Sequence, residues 1–374
     1  MQWRLLTEDR VSDSYGLAVD EVLARRAGTG ASPATLRLYT YRSYAALVGR
    51  YQSVSHEVQL GYCQEHDIAV NRRPTGGGAI LMGDHQLGIA LTLQGRDNNV
   101  YGHARELMSR FAEGIVLGLR SLGITGSFRG KNDLAVNGRK IAGLGIYRDA
   151  SGGLLFHASL LLDMDVPLML NVLTTPFEKI SDKEISTVEG RIETVRRLTG
   201  RSIEMDDLRM RIACAYEKAF HCTCIPGALV GSELKEIDLL EEEKYLSPAW
   251  IVQETDVPDA TGSARVKAPG GLLDVSVSLV GDMIKAAYIR GDFFTSDAAV
   301  ADIEASLRWR RSGKDDIRKI LGPVFLKHRR DLTGIRLDDL DAALTQAISR
   351  ARVLGGRGSP PPYGCFVNPG AMHA

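Results

Sequence analysis

The chain has 374 residues, enough for two units and too many for one ordinary hydrophobic core. Its 46 basic and 46 acidic residues cancel, which removes any global electrostatic case for nucleic acid or an anionic membrane, so any anion site must be local. Five scattered cysteines do not suggest a disulfide framework, the N-terminus lacks a signal-peptide core and no run is long enough to span a bilayer, so a soluble, cytoplasmic protein is expected.

Residues 11 to 27 place Tyr15, Val19, Val22 and Leu23 on one face of an amphipathic helix behind Ser/Asp caps. "TLRLYTY" then alternates like a strand, as do residues 68 to 72 and 80 to 93, and together they suggest a mostly antiparallel sheet. Between the last two lies "NRRPTGGGAILM". Glycine loses more conformational entropy on folding than any other residue, so three in a row at a strand entrance call for something lying against bare backbone. Successive N–H groups there can form an anion-binding nest, with Arg72 and Arg73 adding forked cationic donors; the plainer reading is a Gly-rich turn with solvated arginines. Leu107, Phe111, Ile115 and Leu119 recur every fourth residue, which predicts one helix from Ala104 to Leu122.

"GKNDLAVNGRKIAGLGIYRDASGGLLFHASLLLDMD" follows. Asn137-Gly138 is a strong hairpin signal and Ser151-Gly152-Gly153 marks a second turn, so three strands meander here. In the middle strand strict alternation puts Lys140 on one face with Ala142, Leu144 and Ile146, leaving Gly143 and Gly145 to open the other. Such a lysine either snorkels to the sheet edge or points a fixed cation into a pocket. "EMDDLRMRIACAYEKAF" is an amphipathic helix before "HCTC", whose Cys222 and Cys224 are a weak metal signal. The expected organisation is a large unit over 1–240, a linker over 241–262, a small α+β unit of strands then helices over 263–345, and a loose Gly/Pro-rich tail over 346–374. The helices of the second unit carry a basic cluster that includes Arg308, Arg310, Arg311, Arg318 and Lys327, read as a solvated face or as a docking surface for an acidic partner.

In this order and spacing, "RRPTGGGAILM", "KNDLAVNGRKIAG" and "LFHASLLLD" resemble the catalytic core of the lipoate-protein ligase A family, and "GDMIKAAYIRGDFF" is similar to its C-terminal accessory domain. The resemblance covers nearly the whole chain. It implies an α+β fold with a biotin/lipoate protein ligase-like catalytic domain, mostly antiparallel sheet and packed helices, plus a small α+β accessory domain. It also implies a two-step reaction. Lipoate is activated by Mg-ATP to lipoyl-AMP with release of pyrophosphate, and the lipoyl group then passes to a lysine of a lipoyl-domain acceptor such as a 2-oxoacid dehydrogenase E2 or a glycine cleavage H protein. On that likeness Lys140 would be catalytic, bridging carboxylate and phosphate. Arg72, Arg73, Gly76, Gly77 and Gly78 would meet the acyl-phosphate, Asn132 and Asp133 would serve phosphate and Mg²⁺ with Asp133 as metal ligand, and Gly143, His157 and Ser159 would border the substrate. Arg50, in "GRYQ", would line the mouth of an aliphatic tunnel.

The sequence departs from the family pattern at Met82, where many members carry histidine, and "GDHQLG" looks more like octanoyltransferases; Met82 cannot donate a hydrogen bond, and His85 would replace the histidine only if its loop bends back. An octanoyltransferase working through a cysteine thioester is the nearest alternative, yet no cysteine lies between Cys63 and Cys214, and the place where transferases carry theirs reads "LTTPFEK". A biotin ligase would tolerate "GRKIAGLGI", but its Gly/Arg-rich adenylate loop is missing from the sequence. A silent acyl-protein scaffold would not require Lys140, Asn132 and Asp133.

Overall fold

The computed structural model describes residues 1–95, 99–174, 182–253 and 262–355. The catalytic unit opens with β1 (Gln2–Val11) and α1 (Asp13–Gly28), whose N-cap Ser12 accepts a hydrogen bond from the Tyr15 amide. There follow β2 (Thr35–Tyr41), β3 (Ala45–Val48), β4 (Ala69–Arg72), β5 (Ile80–Met82) and β6 (Gln86–Gln94). The long helix expected after them is broken at Ala112 into α2 (Ala104–Phe111) and α3 (Glu113–Arg120). The chain continues through β7 (Ser127–Arg129), β8 (Asp133–Val136), β9 (Arg139–Arg148), β10 (Gly153–Leu161), α4 (Met205–Phe220), β11 (Thr223–Pro226) and α5 (Gly231–Leu240).

Eight of these strands form a sheet in the order β11-β1-β2-β6-β10-β9-β8-β7, and β4-β3-β5 form a small second sheet. Most pairings of the large sheet are antiparallel, as expected, but β1 runs parallel to both of its neighbours. Alternation in β2 explains how the sheet is covered on both sides. Leu36 and Leu38 enter a core with α2, α3 and α4, while Tyr39 and Tyr41 pack with α1 on the other side. The Asn137-Gly138 hairpin has positive φ at both residues, 50° and 80°, as its sequence predicts.

The stretch expected as a linker is mostly built onto the catalytic unit. A π-helical turn (Glu241–Tyr245) and α6 (Pro248–Ile251) pack there, with Lys244 2.7 Å from Glu21 and the Tyr245 side chain fully buried. Alternating apolar residues could not show this, because the contacts are to charged groups far off in sequence.

The second unit has β12 (Gly262–Ala268), β13 (Gly271–Val280), β14 (Met283–Gly291), α7 (Asp297–Leu307), β15 (Arg310–Arg311), α8 (Lys314–Lys327) and α9 (Leu337–Gly355). Its antiparallel sheet, β12-β13-β14-β15, carries Leu273, Val275, Val277 and Ile289 into a core with Ile303, Leu307, Leu344 and Ile348. The first ten residues read as tail, 346–355, are instead helical: α9 runs to Gly355, with Ala347, Ile348 and Ala351 buried in this core, and residues 356–374 lie outside the described residues. The basic cluster divides. Arg318 pairs with Asp338 and Asp341 and Lys327 with Asp302, whereas Arg308, Arg310 and Arg311 are exposed. No helix among the described residues is long and apolar enough to cross a membrane.

Candidate active site

The floor of the site is made by β9 and β10. Their register sets Gly143 opposite Ser159 and Gly145 opposite His157, so two side chains lie over two bare backbone positions. A Cβ on Gly145 would sit 2.1 Å from His157 Nε2, so the ring requires bare backbone there, and one on Gly143 would crowd Lys140 Nζ at 3.2 Å.

Lys140 reaches this floor against the expectation from alternation. Ala135 pairs with Lys140 but Leu134 pairs with Ala142, so Ile141 is an extra residue, a β-bulge that re-aims Lys140 toward the glycine face and away from Ala142, Leu144 and Ile146. Its backbone is pinned on the far side, where the Lys140 N–H donates to the Arg191 carbonyl (2.8 Å) and its carbonyl accepts from the Glu193 N–H (2.7 Å). Nζ lies 2.7 Å from Asp133 Oδ1. The two approach as charges without hydrogen-bond alignment, and this buried carboxylate oxygen has no hydrogen-bond donor among the described residues. Asn132 is fixed by donating from Nδ2 to the Leu144 carbonyl and accepting at its own carbonyl from the Leu144 N–H, each at 2.9 Å.

Arg73 is buried and donates to the carbonyls of Gly78 (2.8 Å) and Leu47, which braces the glycine loop from inside. Burial pulls its pKa down to about 10, leaving it charged at neutral pH. His157 Nε2 lies 2.9 Å from Thr75 Oγ1, and burial, aided by the Arg73 charge, pulls the imidazole down to about 3; it is a neutral hydrogen-bonding group. In the loop itself Gly77 has φ +98°, and a Cβ on Gly78 would meet nothing within 4 Å, so that backbone is open. Gly76 also lines the cavity and must be bare, because a Cβ there would lie 2.2 Å from the Phe293 carbonyl of the accessory unit.

These groups edge a cavity of about 230 Å³. One part is apolar, lined by Leu17, Leu47, Ile80 and Met82 with Tyr39 and Tyr41, and the other is polar, lined by Lys140, Asp133, Asn132, Arg73 and Asp292. Sequence reading missed Tyr39, Tyr41, Thr75 and Asp292. The alternation of "TLRLYTY" does put both tyrosines on one face, but nothing local aims that face at Lys140. Met82 is buried in the apolar wall, while the His85 side chain is 61% exposed beside Asp84 and does not bend back to it.

Two expected residues stand elsewhere. Arg72 gives its guanidinium to six backbone carbonyls, of Gly49, Arg50, Gln52, Trp250, Ile251 and Val252, so its donors are spent on clamping a loop to the end of α6. Arg50 does not line the cavity either; it pairs with Asp297 of the accessory unit at 2.9 Å and packs over the Trp250 ring at 4.6 Å. Neither placement is visible locally: the α6 carbonyls that draw Arg72 begin 178 residues away in sequence, and Asp297 lies 247 residues from Arg50.

Residues 13–217 match the lipoyl protein ligase A/B catalytic domain, and residues 258–344 match the bacterial lipoate protein ligase C-terminus. A lipoate–protein ligase of Streptococcus pyogenes is 29% identical over 287 residues, spanning 75% of this chain and 81% of its own. The octanoyltransferase LipM of Symbiobacterium thermophilum is 28% identical over 274 residues, spanning 67% of this chain and 98% of its own. Among solved structures, P. falciparum LipL1 in complex with lipoate superposes with a TM-score of 0.66 at 17% identity, over 88% of this chain and 98% of that one, which shows the shared fold. With the cavity built on strands of the matched catalytic domain, and the accessory unit matched separately, the chain belongs to the lipoyl protein ligase A/B family and carries the C-terminal domain of bacterial lipoate protein ligases.

Proposed function

We propose that the protein is an ATP-dependent lipoate–protein ligase. The observation that carries this reading is the make-up of the cavity: an apolar wall leads to Lys140, Arg73, Asn132 and Asp133, and no cysteine is among its lining residues. Cys63 is buried in a separate cluster and Cys214 is exposed on α4. Such a site has groups to hold a free acid and counter phosphate charge, and among the described residues no cysteine borders it to serve a thioester route. The transferase relative is matched over 98% of its own length by two thirds of this chain, whereas the match at 258–344 is to a lipoate protein ligase C-terminus, which also favours the ligase.

In this reading the apolar wall takes the acyl chain, and its carboxylate lies by Lys140. A carboxylate oxygen attacks the α-phosphorus of Mg-ATP, the bond to the β-phosphate bridge breaks and pyrophosphate leaves. Lys140 and Arg73 stabilise the negative charge that accumulates as this happens, and the open Gly78 backbone admits the acyl-phosphate. The residues present suit Mg²⁺ carried by its nucleotide: among the described residues no three acidic, His or Cys groups cluster as a cage, and Asp133, ion-paired here with Lys140, carries the carboxylate that would add one hard ligand. In the second step a lysine amine of the acceptor attacks the acyl carbon and AMP departs. An archaeal bipartite lipoate protein ligase studied with its E2 lipoyl domain supports an E2 lipoyl domain as the acceptor.

The experiment is lipoate-dependent exchange of pyrophosphate into ATP. We expect it to require magnesium and to survive replacement of Cys63, Cys214, Cys222, Cys224 and Cys365 by Ser. Acyl transfer from octanoyl-carrier protein without ATP, lost on thiol alkylation, would assign the chain to the transferases instead.

A further inference from the structure

After β14 the accessory unit sends residues 291–297 into the catalytic unit. The Gly291 N–H donates to the Tyr51 carbonyl (2.9 Å), the Tyr51 hydroxyl donates to the Thr295 carbonyl (3.0 Å), and Phe293 stacks on the Tyr51 ring at 5.0 Å. Phe294 crosses over: it is 8% exposed and belongs to the core of the catalytic unit, near the Cβ position of Gly77. The residue gripping this segment is Lys131. Its ammonium donates to the Asp292 backbone carbonyl, lies 3.5 Å from Asp292 Oδ1 and stands 5.3 Å from the Phe294 ring centroid.

Lys131 directly precedes Asn132 and Asp133. Its turn, which includes Gly130 at φ +62°, leads from β7 into β8, and β7 is a three-residue strand at the sheet edge. The ladder alone holds such a turn weakly, and the accessory segment supplies a buried anchor on its other side. We propose that Lys131 is a positioning residue for the activation step, gripping Asp292 to Phe294 so that Asn132 and Asp133 are held where Mg-ATP is bound. This rests on the ligase reading of the site. Activation needs the triphosphate placed in line with the attacking carboxylate, so it depends on that turn. Acyl transfer breaks the acyl–phosphate bond of an intermediate already made, with no triphosphate to place. The grip therefore makes the first half-reaction answer to the accessory unit and leaves the second largely indifferent to it.

The test uses the full chain with Lys131→Met, which keeps the stem and removes the donor. Misplacing a catalytic constellation by about an ångström can cost up to 10²-fold, so pyrophosphate exchange should fall on the order of tenfold or more. Transfer from synthetic lipoyl-adenylate to a lipoyl domain should stay within about twofold, on the same scale. Amide hydrogen exchange over residues 130–136 should speed up, and Lys131→Arg, which can still donate to the Asp292 carbonyl, should restore all three. Phe294→Leu, which keeps the core filled, should produce the same split between half-reactions. Equal loss in both half-reactions, or unchanged exchange of pyrophosphate, would overturn the proposal. If the wild type itself shows no lipoate-dependent exchange, the ligase reading fails, and unchanged amide protection in Lys131→Met would then dismiss the grip separately.

Discussion

Replacing Lys140 with alanine removes an ammonium that a β-bulge has aimed over a glycine floor, 2.7 Å from Asp133. Loss of one preorganised electrostatic donor commonly costs 10²–10³ in rate, so adenylation measured by pyrophosphate exchange should drop on the order of 10² or more while the variant stays folded. Lys140→Arg should also be poor, because a planar fork does not replace a compact ammonium in this space. His157 is a different case. Its folded-state pKa is held near 3, well below the ordinary value near 6.5, so the neutral form is favoured in the fold. A depressed histidine stabilises fully above its unfolded pKa, and that stability is lost as pH falls from about 6.5 toward 3. Melting temperatures of wild type and His157→Gln, which keeps a partner for Thr75, should therefore converge on acidification through this window, and a constant gap would refute the assignment. At this scale the sequence was informative where chemistry is local. The run of three glycines, Asn132, Asp133 and Lys140 stood out as candidates and Gly76, Gly78, Asn132, Asp133 and Lys140 border one cavity, but the direction of Lys140 depended on one inserted residue, and Arg72 was drawn away by carbonyls of α6 that no nearby pattern announces.

Elements were legible wherever periodicity and turn chemistry agreed. The Asn137-Gly138 hairpin and the helix behind Ser12 form as their residues require, because φ > 0 at the turn and a capped amide are local matters. The boundary between units was not legible, since the π-helical turn is acidic, α6 is only four residues long, and both are held by Arg72, Glu21 and the Trp250 indole, which donates to the Arg72 carbonyl. This yields a prediction about truncation. A chain ending at Gln253 keeps these contacts. One ending at Leu240 exposes the site of the fully buried Tyr245 and strips Arg72 of three of its carbonyls, those of residues 250 to 252. Each lost hydrogen bond to a buried charge is worth about 1.5–3 kcal/mol, and in a unit this size 1 kcal/mol shifts the melting temperature by roughly 2–4 °C. The shorter chain should melt at least about 5 °C below the longer one by circular dichroism, and equal melting temperatures would return residues 241–253 to the status of a linker.

Across the whole molecule, the strand that opens the chain lies inside the sheet, with β2 on one side and β11 on the other. During synthesis, at roughly 5–20 residues per second, β2 follows at once but Thr223–Pro226 emerges only after most of the catalytic unit has been made. One edge of β1 is therefore open in the nascent chain, the condition under which strands pair with the wrong partner. Its sequence, "QWRLLTEDRV", meets that hazard with Arg4, Glu8, Asp9 and Arg10, charges that keep a waiting edge in water. Two of them later change role. When α4 and α5 arrive, Arg209 takes Asp9 at 2.5 Å and Glu233, itself 1% exposed, takes Arg4 at 2.8 Å, so side chains that guarded the edge become the clasps that hold β1 in place.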